Sequence, residues 1–388
     1  MSETEFSKEE LERYSRHIII PEFNIEGQRK LKEAKVLVIG AGGLGSSLLL
    51  YLAAAGVGTL GIVDFDVVDE SNLQRQVLFG VQDVDSPKVE AAKKRLKSLN
   101  PHITINTYDT VFSSSNALDL IKDYDIVADG TDNFPARYLV NDACVLLGKV
   151  NVYASIFRFE GQLSVFNKLL KDGTRGPNYR DLFPSPPPQG LVPSCAESGV
   201  IGALPGILGS LQANEVIKVI SGVGKTLSGR LFLLDTESFE TRIIRVKKNK
   251  NNPLNGENPT QTELIDYEQL CGIHVKESTA ADEIKEITVL ELRDLQTKGC
   301  PYQLIDVREP FEYEIAQMGG ELVPLKAVNS FARHIKKDRK VIIHCRSGKR
   351  SADVIRELER DHGFNNLYNL KGGILAWAEE IDQSLATY

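Results

Sequence analysis

The chain lacks the features of an exported or membrane-spanning protein. No uninterrupted apolar run in its 388 residues is long enough to cross a bilayer, and its first residues have neither the basic nor the apolar part of a signal peptide. Its five cysteines are odd in number and not closely paired: Cys144, Cys195, Cys271, Cys300 and Cys345. This pattern does not fit a disulfide framework and favours reactive or buried thiols in a reducing compartment. We therefore expect a cytoplasmic protein.

The chain also has fewer basic than acidic residues. The 46 lysines and arginines are outnumbered by 53 aspartates and glutamates, and the resulting net charge of −7 argues against a dedicated nucleic-acid-binding protein. Hydrophobic residues make up 42% of the chain and charged residues 26%, as in ordinary soluble domains. The length predicts two to three domains with a sizeable core.

The stretch around Cys345 carries the clearest chemical signal in the second half of the chain. A short apolar strand at 341–343 is followed by Cys345 and by a Ser/Gly-rich turn that leads into a helical pattern. Such a turn aims backbone N–H groups inward, and the helix adds the positive end of its dipole. Arg346, Lys349 and Arg350 add positive charge. A cysteine there should form a good thiolate or persulfide, and a buried cysteine with a structural role is the alternative.

The N-terminal part of the chain has the pattern of a βαβ unit. Residues 35–39 form a predicted strand, 46–55 a helix, and 60–63 a second strand that ends at Asp64. The turn after the first strand has the Gly-x-Gly-x-x-Gly spacing, given by Gly40, Gly42 and Gly45. These glycines let a phosphate approach the backbone at a helix N-terminus, and Asp64 is placed to hold a ribose hydroxyl. A nicotinamide dehydrogenase would show the same motif, so the motif alone leaves the function open.

Polar residues beyond the second strand favour a nucleoside triphosphate. Asn72 and Arg75 follow Asp64, and Lys88 opens a predicted helix over 89–99. A hydride-transfer enzyme does not need these side chains, whereas a triphosphate does, because Arg, Lys and a metal ion neutralise the charge that develops on phosphorus. For Arg75 or Lys88 taken singly, the alternative interpretation is a charged side chain on the solvated surface.

Asp132 is a candidate magnesium ligand. It follows a predicted buried strand at 125–128, on the side where open α/β sheets bind ligands. Mg²⁺ prefers one or two carboxylates together with phosphate oxygens. Asp132 is alternatively the N-cap of a predicted helix over 136–147, and the two roles are compatible.

Together these motifs resemble the ubiquitin-activating-type adenylyltransferases of the MoeB/ThiF family over residues 8–246. The matching segments are 13–16, 40–45, 64–66, 71–76, 88, 131–133, 160–162 and 193–195. The resemblance implies a Rossmann-like α/β fold with a mostly parallel sheet, and an enzyme that condenses ATP with the C-terminal Gly-Gly carboxylate of a ubiquitin-like carrier. It implies these contacts to ATP or its metal: Gly40, Gly42, Gly43, Gly45, Asp64, Ser71, Asn72, Leu73, Gln74, Arg75, Lys88, Asp132 and Asn133. Arg16 would reach the phosphates of the partner subunit in a homodimer.

The irregular, proline-rich stretch at 168–198 includes Cys195. In the family this stretch crosses over the carrier's tail, and Cys195 is a candidate for a covalent link to that tail, with a plain loop thiol as the alternative. Many relatives also hold a structural zinc with two Cys-x-x-Cys pairs, which would fall at 178–181 and 252–255. Both segments lack cysteine here, so we expect no structural zinc, with local packing or hydrogen bonds in its place.

A linker at 247–283, polar and turn-rich over 247–259, is predicted to separate an adenylation domain at 1–246 from a smaller α/β domain at 284–388. The sequence leaves open whether residues 260–282 form a short docking segment instead. The smaller domain resembles rhodanese-type sulfurtransferases, in its Cys345 loop and in the ending 369–377. Its strand-end polar cluster is expected to hold structure rather than take part in chemistry: Asp306, Arg308 and Glu309.

The two resemblances predict one combined reaction. Adenylation turns the carrier's carboxylate into a mixed anhydride with AMP, a persulfide on Cys345 attacks it, and Cys195 resolves the product to a thiocarboxylate. The expected partners are the carrier and a persulfide donor such as a cysteine desulfurase, without nucleic acid or membrane. The carrier's pathway stays open between molybdopterin, thiamine thiazole and tRNA thiolation. The alternatives are a scaffold whose rhodanese domain only docks, direct sulfur transfer to tRNA, and a nicotinamide oxidoreductase.

Overall fold

The computed structural model describes residues 6–187, 199–271 and 284–388. The chain divides into two compact units, Met1–His274 and Val275–Tyr388. Within the described ranges, no helix combines the length and the apolar character that a membrane crossing requires.

The first unit is built on an eight-stranded sheet. Its helices and strands are, in chain order, α1 (Lys8–Ile18), α2 (Asn24–Glu33), β1 (Lys35–Ile39), α3 (Gly43–Ala55), β2 (Thr59–Asp64), α4 (Lys88–Leu99), β3 (Thr104–Asp109), α5 (Ala117–Ile121), β4 (Ile126–Asp129), α6 (Phe134–Leu146), β5 (Val150–Phe157), β6 (Glu160–Phe166), α7 (Tyr179–Leu182), α8 (Ala203–Ser221), β7 (Arg230–Asp235), β8 (Glu240–Arg245) and α9 (Tyr267–Leu270).

The order of the strands creates a ligand-binding crevice. The order is β3-β2-β1-β4-β5-β6-β7-β8, with β3 to β5 paired in parallel and β6, β7 and β8 added antiparallel. This confirms the predicted mostly parallel sheet. From β1 the chain runs outward through β2 and β3 and then returns to β4 on the other side of β1. Ligands of open α/β sheets bind at such a switch point, beyond the carboxyl ends of the strands.

Strand β1 shows why helices cover both faces of this sheet. Val36 and Val38 pack into one apolar cluster with Leu48 of α3, whereas Leu37 and Ile39 pack into a second cluster with residues of α5 and α6. Because neighbouring residues of a strand point to opposite faces, an uninterrupted apolar run is what a strand buried on both sides requires.

The described part of the predicted linker packs on the first unit. Tyr267 of α9 is buried and donates a 2.8 Å hydrogen bond to Asp142 of α6. Asp142 also accepts hydrogen bonds from Arg180 and from Gln261. Asp142 and Arg180 are 0% and 3% exposed, and ions buried to this extent require such complete pairing. The polar side chains of this stretch are typical of a linker, but here they form hydrogen bonds with the first unit. Residues up to 271 therefore fold with the first unit.

The second unit has a five-stranded sheet of order β11-β10-β12-β13-β9, in which all neighbours are parallel. Its helices and strands are β9 (Glu286–Ile287), α10 (Val289–Thr297), β10 (Tyr302–Asp306), α11 (Pro310–Ile315), β11 (Glu321–Leu322), α12 (Val328–Phe331), β12 (Lys340–His344), α13 (Lys349–His362), β13 (Leu367–Leu370) and α14 (Gly373–Glu380). The central strand, β12, ends directly before Cys345.

Candidate nucleotide and sulfur sites

The glycine turn lies at the switch point between β1 and β4. Gly40 has a φ of 91°, in the left-handed region that favours glycine, and a Cβ on it would lie 3.0 Å from the carbonyl oxygen of Gly130. A Cβ on Gly45 would lie 2.1 Å from the Gly40 carbonyl oxygen, so this glycine lets α3 pack closely on the turn. Among the described residues, a Cβ on Gly42 would meet only the Gln76 side chain, at 3.8 Å. The turn is therefore tightly packed toward the protein and open at Gly42.

Helix α3 presents backbone donors to this open side. Its N-cap is Gly42, and no side chain caps the N–H groups of its first turn. Uncapped N–H groups and the helix dipole together favour a phosphate. Asp64, at the end of β2, accepts hydrogen bonds from the backbone N–H groups of Ala41, at 2.7 Å, and Asp66, at 2.9 Å. Burial raises the pKa of Asp64, and these two hydrogen bonds offset part of the rise.

Two cations lie near the turn. Lys88 begins α4 with its side chain 6% exposed and donates a 2.9 Å hydrogen bond to Asp66, which holds the ammonium group beside the end of β2. Burying an ammonium group without such a partner would cost on the order of several kcal/mol of desolvation free energy. Arg75 donates to the Ser71 carbonyl oxygen at 3.2 Å, and a Cβ on Gly43 would lie 3.7 Å from the Arg75 Cγ. Arg75 therefore borders the first turn of α3.

The segment that precedes Arg75, residues 70–74, lies against the start of α8. Its 3₁₀ turn, Glu70–Asn72, is capped by Asp69, which accepts from the Ser71 backbone at 2.8 Å. A Cβ on Gly202 would lie 2.4 Å from the Gln74 carbonyl oxygen. The segment holds four of the predicted ATP-binding residues: Ser71, Asn72, Leu73 and Gln74.

Asp132 is exposed beyond the end of β4, and its predicted alternative role as a helix N-cap is wrong. Helix α6 begins at Phe134, earlier than predicted, and Asn133 takes the N-cap position by accepting from the helix backbone at 3.0 Å. The turn before it is fixed by Asp129, which is fully buried and accepts from the Thr131 backbone and hydroxyl at 2.9 and 2.7 Å. Burial raises the pKa of Asp129.

A metal ion would depend on Asp132 and on the nucleotide itself. Among the described residues, no three His, Cys, Asp or Glu side chains cluster so as to hold a metal ion. An exposed carboxylate that is completed by phosphate oxygens is an arrangement that Mg²⁺ accepts, so the donor set fits this ion.

Two predicted site residues are not brought into this group. Arg16 is exposed on α1, and none of the described contacts joins it to the glycine turn. Cys195 lies outside the described residues.

The four positions at which zinc-binding cysteines are absent lie side by side. The Asn178 Nδ2 donates to the Asn255 Oδ1 at 3.1 Å, and the Asn252 Nδ2 donates to the Asp181 Oδ1 at 2.8 Å. Asn178 and Asn252 are 0% exposed. Hydrogen bonds between these side chains therefore join the two segments, as expected from their composition.

Cys345 lies in a cradle of hydrogen-bond donors. The residue is 1% exposed, the Gly348 N–H donates to its Sγ at 3.2 Å, and the Ser351 hydroxyl lies 3.4 Å from the same atom. The Ser351 hydroxyl is also 2.7 Å from the Asn369 Oδ1. The single hydroxyl proton of Ser351 goes to Asn369 in this geometry, so the Gly348 N–H is the donor that points to the sulfur. A backbone donor in this position suits a thiolate or a persulfide.

Ion pairs surround this cradle. Arg350 donates two hydrogen bonds to Glu312, at 2.7 and 2.6 Å, and they raise the pKa of Arg350. Burial alone would raise the pKa of Glu312, but the hydrogen bonds from Arg350 hold it below its usual value. Arg308 is fully buried and pairs with Asp306 at 2.6 Å, which agrees with their expected structural role. Sequence reasoning missed Glu312 and Tyr388. The Tyr388 hydroxyl donates to Glu312 at 3.2 Å, although the two residues are 76 positions apart in the chain.

Two family models match the chain. The ThiF family model matches residues 14–255, and the rhodanese-like domain model matches residues 288–380. The chain belongs to the ThiF family. It also carries a rhodanese-like domain in its second unit.

Named relatives agree with both assignments. A probable adenylyltransferase/sulfurtransferase MoeZ from Mycobacterium tuberculosis is 48% identical over 385 residues, which cover 98% of this chain and 96% of that protein. A sulfur carrier protein adenylyltransferase from Thermus thermophilus is 52% identical over 268 residues, 69% of this chain and 99% of that protein. The crystal structure of Escherichia coli MccB with ATP shares the fold, with a TM-score of 0.54 at 22% identity over 63% of this chain and 74% of that chain. The protein is therefore an enzyme, an adenylyltransferase with sulfurtransferase activity.

Proposed function

We propose that the enzyme adenylates the C-terminal glycine of a ubiquitin-like sulfur carrier and then converts it to a thiocarboxylate with sulfur carried by Cys345. One observation carries this proposal. The chain combines a glycine turn that is open at Gly42, beside Asp64, with a cysteine whose sulfur accepts a hydrogen bond from a backbone N–H group. A relative named sulfur carrier protein adenylyltransferase supports the carrier as substrate.

In the first reaction, the carrier's carboxylate attacks the α-phosphorus of ATP, and pyrophosphate leaves with the electron pair of the broken bond. The uncapped N–H groups of α3 bind phosphate oxygens beside Gly42, and Asp64 accepts a ribose hydroxyl. Arg75 and Lys88 stabilise the charge that develops on the leaving pyrophosphate. The remaining predicted ATP contacts come from the 71–74 segment and from Asn133.

Asp132 and Arg16 make two further contributions. Asp132 would hold Mg²⁺, which supplies neutralisation of phosphate charge when it is bound. Arg16 acts on the phosphates in the partner subunit of a homodimer, which accounts for its exposed position on α1.

In the second reaction, the outer sulfur of the Cys345 persulfide attacks the acyl carbon, and AMP leaves. The Cys195 thiolate then attacks the inner sulfur of the acyl disulfide. This step releases the carrier thiocarboxylate and leaves a disulfide between Cys345 and Cys195, which a cellular thiol reductant opens. A persulfide donor, such as a cysteine desulfurase, reloads Cys345 in the cytoplasm.

The test uses the full chain with ATP, labelled pyrophosphate and a Gly-Gly-ended carrier. Cys345→Ala should retain pyrophosphate exchange but form no thiocarboxylate from thiosulfate or a persulfide donor. Arg75→Ala should lose exchange by roughly a hundredfold, the scale expected for one transition-state donor. Cys300→Ala is the matched control, because this cysteine is exposed and lies outside both sites. Loss of both activities in Cys345→Ala, or no exchange with any Gly-Gly carrier, would contradict the proposal.

A further inference from the structure

We infer that Tyr388 is a positioning residue of the sulfur site, whose ring and hydroxyl hold Arg346 and the Glu312–Arg350 pair in place around Cys345. This inference rests on the proposed role of Cys345 as the sulfur carrier. It assigns a function in sulfur loading to a residue that lies outside the Cys345 loop.

The hydroxyl of Tyr388 connects a buried cation to the loop. Its oxygen accepts a 2.7 Å hydrogen bond from the Arg308 Nη1 and donates at 3.2 Å to the Glu312 Oε1. The same Glu312 oxygen accepts from the Arg350 Nη2 at 2.6 Å. Arg308 is fixed by its pair with Asp306, at the end of β10. The Tyr388 hydroxyl, through Glu312, therefore links this pair to Arg350 at the start of α13.

The ring of Tyr388 contacts a second loop cation. The Arg346 guanidinium carbon lies 5.4 Å from the ring centroid, and the Arg308 guanidinium carbon lies 5.9 Å from it. These distances are within the range of cation–π attraction, which is stronger at partly desolvated sites. Tyr388 is half-buried. The ring therefore orients the guanidinium of the residue that directly follows Cys345 in the chain.

The phenol remains protonated at neutral pH. Burial raises the pKa of Tyr388, and the hydrogen bond from Arg308 offsets only part of this rise. Its hydroxyl can therefore donate and accept at the same time, as the link between Arg308 and Glu312 requires.

The chemistry of sulfur loading explains why these cations need a fixed position. The Cys345 thiolate attacks the outer sulfur of a donor such as thiosulfate, the S–S bond breaks, and sulfite leaves with the electron pair. The donor is a dianion, so its encounter with the loop depends on correctly placed positive charge. Tyr388 makes no described contact with the Cys345 Sγ, and it acts through Arg346 and Arg350.

The test is the thiosulfate-to-cyanide sulfur transfer of the full chain, with kcat and KM measured separately. Tyr388→Leu removes ring and hydroxyl and should raise the KM for thiosulfate roughly tenfold, as expected for a partly desolvated cation–π contact. Tyr388→Phe keeps the ring and should raise it about threefold, the scale of a lost hydrogen bond. Tyr368→Leu is the control, because Tyr368 also lies under two cations, Lys285 and Lys340, but is on β13 outside the loop.

The outcomes separate this inference from the proposed function. Tyr388→Leu and Tyr388→Phe with the thiosulfate KM of the wild type would refute the positioning role, even if their melting temperatures fall. If Tyr388→Leu does not fold, Tyr388→Phe decides, and its KM difference should shrink at high ionic strength because the attraction is electrostatic. Sulfur transfer that survives in Cys345→Ala would instead refute the proposed role of Cys345, and the inference would fall with it.

Discussion

Replacing Gly45 with alanine should disable ATP use more than it disturbs folding. A Cβ at this position would lie 2.1 Å from the Gly40 carbonyl oxygen and 3.0 Å from its carbon, whereas ordinary contacts begin at 3.4 Å. Both clashing atoms belong to the backbone, so no side-chain rotation relieves the contact. Helix α3 or the glycine turn must therefore move by about an ångström relative to the other.

The magnitudes of the two effects differ. Overpacking of this kind costs about 1–3 kcal/mol, and the higher helix propensity of alanine offsets about 0.5–1 kcal/mol of it. The net loss of stability should be at most about 2.5 kcal/mol, which leaves the protein folded. The same displacement misplaces the phosphate-binding N–H groups, and a shift of about 1 Å lowers a rate roughly a hundredfold.

Gly206 provides the matched control. It lies in α8, near the same site, and a Cβ there would meet nothing within 4 Å. Gly206→Ala should therefore gain about 0.5–1 kcal/mol from helix propensity and keep wild-type activity. Urea unfolding followed by circular dichroism gives the stabilities, and pyrophosphate exchange gives kcat/KM for ATP. Near-normal exchange in Gly45→Ala would refute the assignment of the glycine turn to phosphate binding.

Two further predictions concern stability. Burial lowers the pKa of His344 from 6.5 to about 4, so the unfolded chain binds more protons between these pH values. The second unit should have its full stability above pH 6.5 and lose about 3 kcal/mol as the pH falls to 4. Urea unfolding followed by the fluorescence of Trp377 should show this dependence of the unfolding free energy on pH. The same pH dependence in His344→Gln would contradict the prediction. Asn252→Ala should lower the unfolding free energy of the first unit by about 1–3 kcal/mol, because it leaves buried groups without partners. A chelator should not change the wild-type melting temperature, and a fall in its presence would contradict the hydrogen-bonded replacement for zinc.

Local elements of both sites could be predicted from the sequence because short-range rules determine them. The run at 35–39 is strand β1 as predicted, since a continuous apolar run fits a strand that is buried on both faces. The strand predicted at 125–128 lies at Ile126–Asp129, one residue later, and it ends where one carboxylate oxygen of Asp129 accepts hydrogen bonds from Thr131 in the turn that follows. The helix predicted from residue 46 begins at Gly43, since glycines weaken the periodic signal at a helix start without preventing the helix.

Side-chain partners could not be predicted, because they depend on how distant segments pack. Lys88 has the pattern of a phosphate-binding cation, but only the structure shows that Asp66 holds it. Arg308 and Tyr388 are 80 residues apart, and Asn178 and Asn255 are 77 residues apart. No local periodicity relates residues at such separations. The residues that sequence reasoning missed are accordingly those that support the predicted site residues.

The nucleotide and sulfur sites use the same backbone arrangement for different ligands. In each unit an interior strand of a parallel array ends in a turn that contains a glycine with a φ of 91°, Gly40 in the first unit and Gly348 in the second. Each turn leads into a helix whose first N–H groups have no side-chain cap, α3 and α13. At Gly42 an added Cβ would meet only the Gln76 side chain among the described residues, at 3.8 Å, whereas at Gly348 the backbone N–H points to the Cys345 sulfur at 3.2 Å. We therefore propose that the same arrangement binds an anion that arrives from solution in one unit and holds the reactive sulfur of the chain itself in the other, because only the second turn begins with a cysteine.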